Sequence, residues 1–107
     1  MDYQLPSLEE NVAMIRICLD LATCDGNLNA GKIEALNRVV SFLQCGQVEA
    51  DKAQAMNPAQ AMLIAQKMSE ENRDMLIMLL NNVAKGDGPI NNREEYCINA
   101  TKMMLNL

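Results

Sequence analysis

The chain of 107 residues contains no histidine and no tryptophan, and its aromatic side chains are two tyrosines and one phenylalanine. Without histidine, the commonest general base is missing, and so is every Ser-His or Cys-His nucleophile pair. With so few rings, a core must be filled by Leu, Ile, Val, Ala and Met. We therefore expect no catalytic residues, and an enzyme is the least favoured functional class.

Positive charge is also scarce, with nine Lys and Arg against fourteen Asp and Glu and a net charge of -5. The basic residues are scattered singly, so the chain lacks the basic stripe of a nucleic-acid binder. The longest uninterrupted apolar run, residues 75–80, is too short to span a bilayer, and residues 1–6 lack the basic start of a signal peptide. We expect a cytoplasmic protein without membrane insertion.

The four cysteines, Cys18, Cys24, Cys45 and Cys97, form no C-x-x-C motif. Their irregular spacing favours neither a zinc site nor a disulfide framework, and reduced thiols packed as small apolar side chains are expected. The negative charge of Asp25 should disfavour a thiolate on the neighbouring Cys24.

An internal duplication appears when the chain is shifted by 87 minus 25, or 62, positions. Asp25 and Gly26 then align with Asp87 and Gly88 without a gap, and conservative apolar pairs fill the intervals. Further identities are Ser7 with Ser69, Glu9 with Glu71, Ile15 with Ile77, Ala22 with Ala84, Asn29 with Asn91, Asn37 with Asn99, and Leu43 with Leu105. The two copies cover about 7–45 and 69–107, and residues 46–68 lie outside the repeat.

Helix-capping residues divide each copy into two helices. Ser7 and Ser69 are suited to cap the opening helices, each of which should end at its Asp-Gly turn, and Asn29 and Asn91 are suited to cap the second helices. We expect the apolar faces to be Leu8, Val12, Ile15, Leu19 and Ala22; Ile33, Leu36, Val40 and Leu43; Leu76, Leu79, Leu80 and Val83; and Ile98, Met103 and Leu105.

The middle segment predicts two further helices, one from about Val48 and one opened by Asn57 and Pro58. The expected fold is all-α, a compact bundle of about six helices in one domain spanning 1–107, with the copies related by an approximate two-fold axis.

The paired segments 22–29 (ATCDGNLN) and 84–91 (AKGDGPIN) resemble the tellurite-resistance TerB-like family. The resemblance covers the two copies but not the middle. It implies an all-helical fold with two acidic turns that are suspected of ion binding, and an association with stress responses and membrane-linked assemblies. The family pattern places an acidic residue three positions after the Asn; the second copy has Glu94 there, whereas the first has Lys32.

Asp25, Asp87 and Glu94 are the carboxylates that the duplication singles out, and together they could hold a hard divalent cation. An EF-hand is excluded, because the twelfth position is Leu36 in one copy and Ile98 in the other. A structural interpretation also stands: each Asp suits its turn, and Glu94 suits a capping box with Asn91. No other cofactor is expected.

The nine methionines offer a second candidate site. Met62, Met75 and Met104, with Met68, Met78 and Met103, could line an adaptable groove for a partner helix, or they could fill the core. The leading hypothesis is a non-enzymatic module that binds or scaffolds another protein. The alternative is a module that responds to divalent ions through its paired Asp-Gly turns.

Overall fold

A computed structural model describes residues 5–26 and 28–107, apart from the side chain of Asp87. These residues form six α-helices and no strand: α1 (Leu8–Ala22), α2 (Ala30–Phe42), α3 (Gln47–Ala55), α4 (Pro58–Gln66), α5 (Glu70–Ala84) and α6 (Asn92–Met104). A short 3-10 turn, Lys85–Asp87, follows α5. The prediction of an all-α fold of six helices is confirmed.

The duplication is visible in the helix bounds. Both ends of α5 lie 62 positions after those of α1, and both ends of α6 lie 62 positions after those of α2. The left-handed backbone positions repeat as well: Gly26 (φ 76°) matches Gly88 (φ 131°), and Gln44 (φ 58°) matches Asn106 (φ 59°). In both copies the second helix ends in a Schellman motif, with bonds from Cys45 N to Val40 O and from Leu107 N to Lys102 O, both 2.9 Å.

The predicted caps start the helices where the sequence places them. Ser7 and Glu10 form a reciprocal capping box at α1, and the Ser69 side chain accepts from Asn72 N at α5. Asn57 caps α4 directly before Pro58, whose missing N–H costs nothing in the first turn. Helix α3 begins at Gln47, one residue before the expected start.

Helix α1 is the centre of the bundle and packs against all five other helices. It therefore buries more than one face, including Met14, Ile17, Cys18 and Leu21, which the expected stripe omitted. The expectation that Leu8 is buried is wrong, because this residue lies at the exposed start of the helix. On α5, by contrast, the whole predicted face of Leu76, Leu79, Leu80 and Val83 is buried.

The predicted face of α2 is also wrong in part. Ile33 is exposed, whereas Lys32, Ala35 and Val39 are buried. The reason is the close approach of the second copy: a Cβ placed on Gly86 would lie 2.8 Å from Gly31 O and 3.0 Å from the Cβ of Ala35. Only small residues fit where α2 meets the 3-10 turn that contains Gly86, so Ala35 lies on the buried face of α2. On α6, Ile98 and the following Leu105 are buried as expected, but Met103 is exposed.

Candidate functional site

A buried ion cluster lies where the two copies meet. The Lys32 ammonium is 3.1 Å from Asp25 Oδ2 and 3.1 Å from Glu94 Oε2. The side chains of Lys32 and Glu94 are fully buried, and that of Asp25 is 15% exposed. The Lys32 ammonium thus pairs with Asp25 of its own copy and with Glu94 of the other copy.

The capping residues of the second helices position this cluster. Lys32 and Glu94 both occupy the third position of their helices, and their backbone amides donate to the side chains of Asn29 and Asn91. Glu94 Oε1 accepts from Asn91 N at 3.1 Å, so the predicted capping box is present. The Asn91 side-chain amide donates in turn to Asp25 Oδ2 at 3.0 Å. The turn after α1 and the start of α6 are therefore joined by this hydrogen bond, and the Lys32–Glu94 ion pair links the starts of α2 and α6.

Electrostatics keep Lys32 charged. Burial alone would lower its pKa, but hydrogen bonds and charge interactions with Glu94 and Asp25 outweigh that effect, and the pKa lies above its usual value of 10.5. At neutral pH Lys32 is an ammonium and has no lone pair with which to act as a base or nucleophile. In chemical terms, it is a fixed counter-cation for two carboxylates.

The structure brings together two of the three predicted metal ligands. Asp25 and Glu94 converge on Lys32 Nζ, whereas the side chain of Asp87 lies outside the described residues. Within the described part, no group of three or more His, Cys, Asp or Glu residues is arranged to hold a metal ion. A divalent ion at Asp25 and Glu94 would have to compete with the Lys32 ammonium, and the ion site stays a prediction.

Lys32 is the residue of this cluster that sequence reasoning missed. A signal was present, because positions 32 and 94 are equivalent in the duplication and carry opposite charges. Equivalent residues close to a two-fold axis face one another, so a Lys in one copy and a Glu in the other are suited to pair.

A second feature is an open apolar groove of about 620 Å³ between α1, α4 and α6. Its size falls within the usual range of roughly 300 to 1,000 Å³ for ligand pockets. Asp20 is its one charged lining residue and is held by Arg16, with Nη2 and Oδ1 2.8 Å apart. The complete lining is Ile17, Asp20, Leu21, Pro58, Ala59, Met62, Leu63, Gln66, Tyr96, Cys97, Ala100, Thr101 and Met104.

Two polar side chains of the groove are directed to its own backbone. Gln66 Nε2 donates to Met104 O at 3.0 Å, and Thr101 Oγ1 donates to Cys97 O at 2.8 Å. These amide and hydroxyl donors are therefore already used within the protein. The groove offers mainly apolar contact, which suits an apolar surface better than a polar metabolite.

The methionine groove is present in part. Met62 and Met104 line it, but Met75 packs against the hydrophobic core and Met68 is buried within that core. The sequence-based argument missed Leu63 and Tyr96, which are exposed apolar members of the lining. Pro58 and Met62 are four positions apart on an uncharged helix, and so are Ala59 and Leu63; this spacing on one helix face was the available signal.

None of the four cysteines is part of a disulfide. Cys18 is fully buried, and burial raises its pKa to about 12. Burial also raises the pKa of Cys24 to about 12, with further contributions from a hydrogen-bonding contact with the Cys97 thiol and from the charges of Asp25 and Glu94. The expectation that Asp25 disfavours a thiolate on Cys24 is therefore confirmed in direction.

Comparisons with known proteins establish the fold alone. No protein-family model matches the chain, and no curated protein matches it. A crystal structure of a protein of unknown function from Porphyromonas gingivalis W83 is similar, with a TM-score of 0.83 and 18% identity over 98% of this chain and 88% of that chain. Among the described helices, none has the length and apolar character needed to cross a bilayer. The resemblance to the TerB-like family stays a prediction.

Proposed function

We propose that the protein is a non-enzymatic binding module and that its groove receives the apolar face of an α-helix from a partner protein. The observation that carries this proposal is an open, mainly apolar groove in which the side-chain donors of Gln66 and Thr101 are bonded to the protein's own backbone. Burial of the apolar lining is then the main free energy available for binding.

The lining exposes large apolar side chains that a folded protein would otherwise bury. Leu63 is 58% exposed, Met104 53% and Tyr96 75%, and they come from two different helices. Helix α4, which supplies Leu63, has no charged residue in its nine positions. A contiguous apolar patch of this kind is typical of an interaction surface, and methionine adapts readily to an incoming helix.

The charge of the groove favours a basic partner helix. Its charged lining residue is acidic, and the chain carries a net charge of -5. Because Asp20 is paired with Arg16, the attraction for Lys or Arg beside the apolar stripe of the partner comes mainly from the net negative charge of the chain, which would also repel an anionic lipid headgroup. We therefore assign the groove to an amphipathic, basic helix with apolar residues at helical spacing.

The family resemblance extends this proposal. The paired Asp-Gly segments support a module of the TerB-like type that takes part in a stress-associated protein assembly in the cytoplasm. These details rest on the sequence resemblance of the two turns.

The test uses a fluorescein-labelled helical peptide of about 14 residues with Leu at helical spacing and flanking Lys. Fluorescence anisotropy should show saturable binding to the wild type. Leu63→Asp should weaken binding by at least about tenfold, because it places a charge in the apolar contact. Phe42→Asp is the matched control, since Phe42 is 56% exposed but does not line the groove.

Other outcomes would contradict the proposal. Equal losses at Leu63 and Phe42 would mean that the peptide binds without using the groove. A proline in the middle of the peptide should abolish binding, and Glu in place of Lys should weaken it. Phosphatidylcholine vesicles that bind the wild type but not the Leu63→Asp variant, while the peptide does not bind, would assign the groove to lipid.

A second candidate function is a response to divalent ions, in which an ion would replace the Lys32 ammonium between the carboxylates of Asp25 and Glu94. A bound ion stabilises the folded state and raises the melting temperature. Millimolar Ca²⁺, Mg²⁺ or Mn²⁺ should then raise the melting temperature of the wild type but not that of the Asp25→Asn, Asp87→Asn double variant. If none of the three ions raises the melting temperature of the wild type, the Asp-Gly turns have only a structural role.

A further inference from the structure

The methionine side chains differ sharply in their access to solvent. Met14 and Met68 are buried in the core, whereas Met103 and Met104, at the end of α6, are 78% and 53% exposed. Of the exposed pair, Met104 lines the apolar groove and Met103 lies outside its lining. Met62 also lines the groove but is partly buried. The groove wall therefore contains an exposed methionine, and an even more exposed methionine is its neighbour in the chain.

An exposed thioether has the chemistry of a two-electron oxidation site. Its sulfur carries lone pairs without losing a proton, and oxidation converts the apolar side chain into a polar sulfoxide. Thiols, by contrast, react as thiolates, and burial raises the pKa of Cys18 and of Cys24 to about 12. At neutral pH these two thiols stay protonated, whereas oxidation of Met104 needs no ionisation.

We propose that Met104 is a reversible oxidation site and that its sulfoxide closes the groove to the partner helix. The Met104 sulfur attacks the terminal oxygen of a hydroperoxide, an S–O bond forms, and the O–O bond breaks. The sulfur loses two electrons, and the proton of the transferred oxygen moves to the leaving oxygen, which departs as an alcohol, or as water from hydrogen peroxide. In the return step a dithiol is oxidised to a disulfide, and the sulfoxide oxygen leaves as water.

The surroundings of Met104 explain why a sulfoxide would oppose binding. The apolar stripe of a bound helix would cover the sulfoxide oxygen without offering a donor. The nearby side-chain donors of Gln66 and Thr101 already bond the backbone oxygens of Met104 and Cys97, at 3.0 and 2.8 Å. Burial of a polar group without a partner is unfavourable, whereas in the free protein the same oxygen stays in water. The inference rests on the proposed function, since the helix is the ligand that is lost.

The experiment treats the full chain with millimolar hydrogen peroxide at neutral pH. Fragment-ion mass spectrometry should place a gain of about 16 Da on Met103 and on Met104, and none on the buried Met14 and Met68. Fluorescence anisotropy with the same Leu- and Lys-containing helical peptide should show binding weakened by about tenfold or more. Methionine sulfoxide reductases for both sulfoxide epimers, supplied with a dithiol, should restore the affinity.

Two leucine variants assign the effect to one side chain. Leucine keeps the apolar bulk of methionine but forms no sulfoxide. After peroxide treatment, Met104→Leu should bind the peptide as tightly as before, whereas Met103→Leu should lose affinity as the wild type does. Met103 is the matched control, because it is more exposed than Met104 but lies outside the groove lining. The melting temperature of the oxidised wild type should stay within about 4 °C of that of the reduced protein.

Several results would overturn the proposal. One is a Met104 that stays unmodified while Met103 is oxidised. A second is a loss of affinity that persists in oxidised Met104→Leu, which would place its cause at Cys97 or Met62. A third is a fall in melting temperature that accompanies the loss of binding, which would make unfolding the cause. A reduced wild type that fails to bind the peptide would instead refute the proposed function, and the regulation of the groove with it.

Discussion

Removing the buried ammonium while keeping its partners should reveal the energetic role of the ion cluster. In a Lys32→Met variant the apolar stem of the side chain is retained, but Glu94 and Asp25 face one another without a cation. At 3.1 Å and an effective dielectric constant of about 20, each charge pair is worth roughly 5 kcal/mol of attraction. The desolvation of the carboxylates is not recovered on mutation, so we expect a loss of about 3–5 kcal/mol.

Such a loss is a large share of the roughly 5–15 kcal/mol that stabilises a domain of this size. Chemical denaturation followed by circular dichroism measures it. Arg38→Met is the matched control, because the Arg38–Glu34 pair has a similar distance, 3.0 Å, but its side chains are 66% and 71% exposed. This control should change the free energy of unfolding by about 1 kcal/mol or less.

A double variant tests whether charge is the cause. Glu94→Gln keeps an oxygen for the Asn91 capping bond but removes the negative charge. Adding it to Lys32→Met should therefore cost less than the sum of the two single changes. Additive losses, or a Lys32→Met loss no greater than that of Arg38→Met, would refute the reasoning.

The pH dependence of Lys32→Met follows from the raised pKa of Lys32. Below 10.5 the folded and unfolded chains both carry the lysine proton, and the contribution of Lys32 to stability is complete. Above that pH the unfolded chain releases the proton first, so the contribution falls as pH rises. The gap between wild type and Lys32→Met should narrow above pH 10.5 in the same denaturation assay.

Three further predictions concern packing, alkaline stability and a helix end. Gly86→Ala should lower the free energy of unfolding by about 1–3 kcal/mol, measured by denaturant titration, because the added Cβ would meet Gly31 O at 2.8 Å. The pKa of Cys18 rises from 9.0 to about 12, so stability should fall above pH 9 by up to about 1.4 kcal/mol per pH unit, and Cys18→Ala should flatten this slope in thermal melts. Gln44→Gly should raise the melting temperature by relieving the φ of 58°, worth about 0.5 kcal/mol, and a lower melting temperature would contradict that estimate.

The helix starts could be predicted because capping depends on residues close together in the sequence. Ser7 needs only Glu10, and Asn57 needs only the amides that directly follow it. The buried face of α2 could not be predicted in the same way, because Ala35 turns inward only when Gly86 arrives from the other copy. The hydrophobic pattern of α2 carries no information about a contact with a segment so distant in the sequence.

The same distinction between local and long-range determinants applies to the candidate sites. Asp25 and Glu94 could be selected from the repeat, but their shared partner Lys32 becomes visible only when residues from the two copies meet. The groove was anticipated through Met62 and Met104, whereas Tyr96 joins it because α6 packs beside α1. The role of a residue that acts through long-range contacts can be recognised only when the topology of the fold is known.

The opposite charges at positions 32 and 94 also mean that the two copies are no longer interchangeable. If two first copies associated with each other in the same geometry, Lys32 would meet a second Lys32, and two second copies would bring Glu94 against Glu94. Both homotypic pairings would bury like charges, which costs several kcal/mol, while the mixed pairing retains the ion pair. A chain cut between the copies should therefore reassemble only from unlike halves.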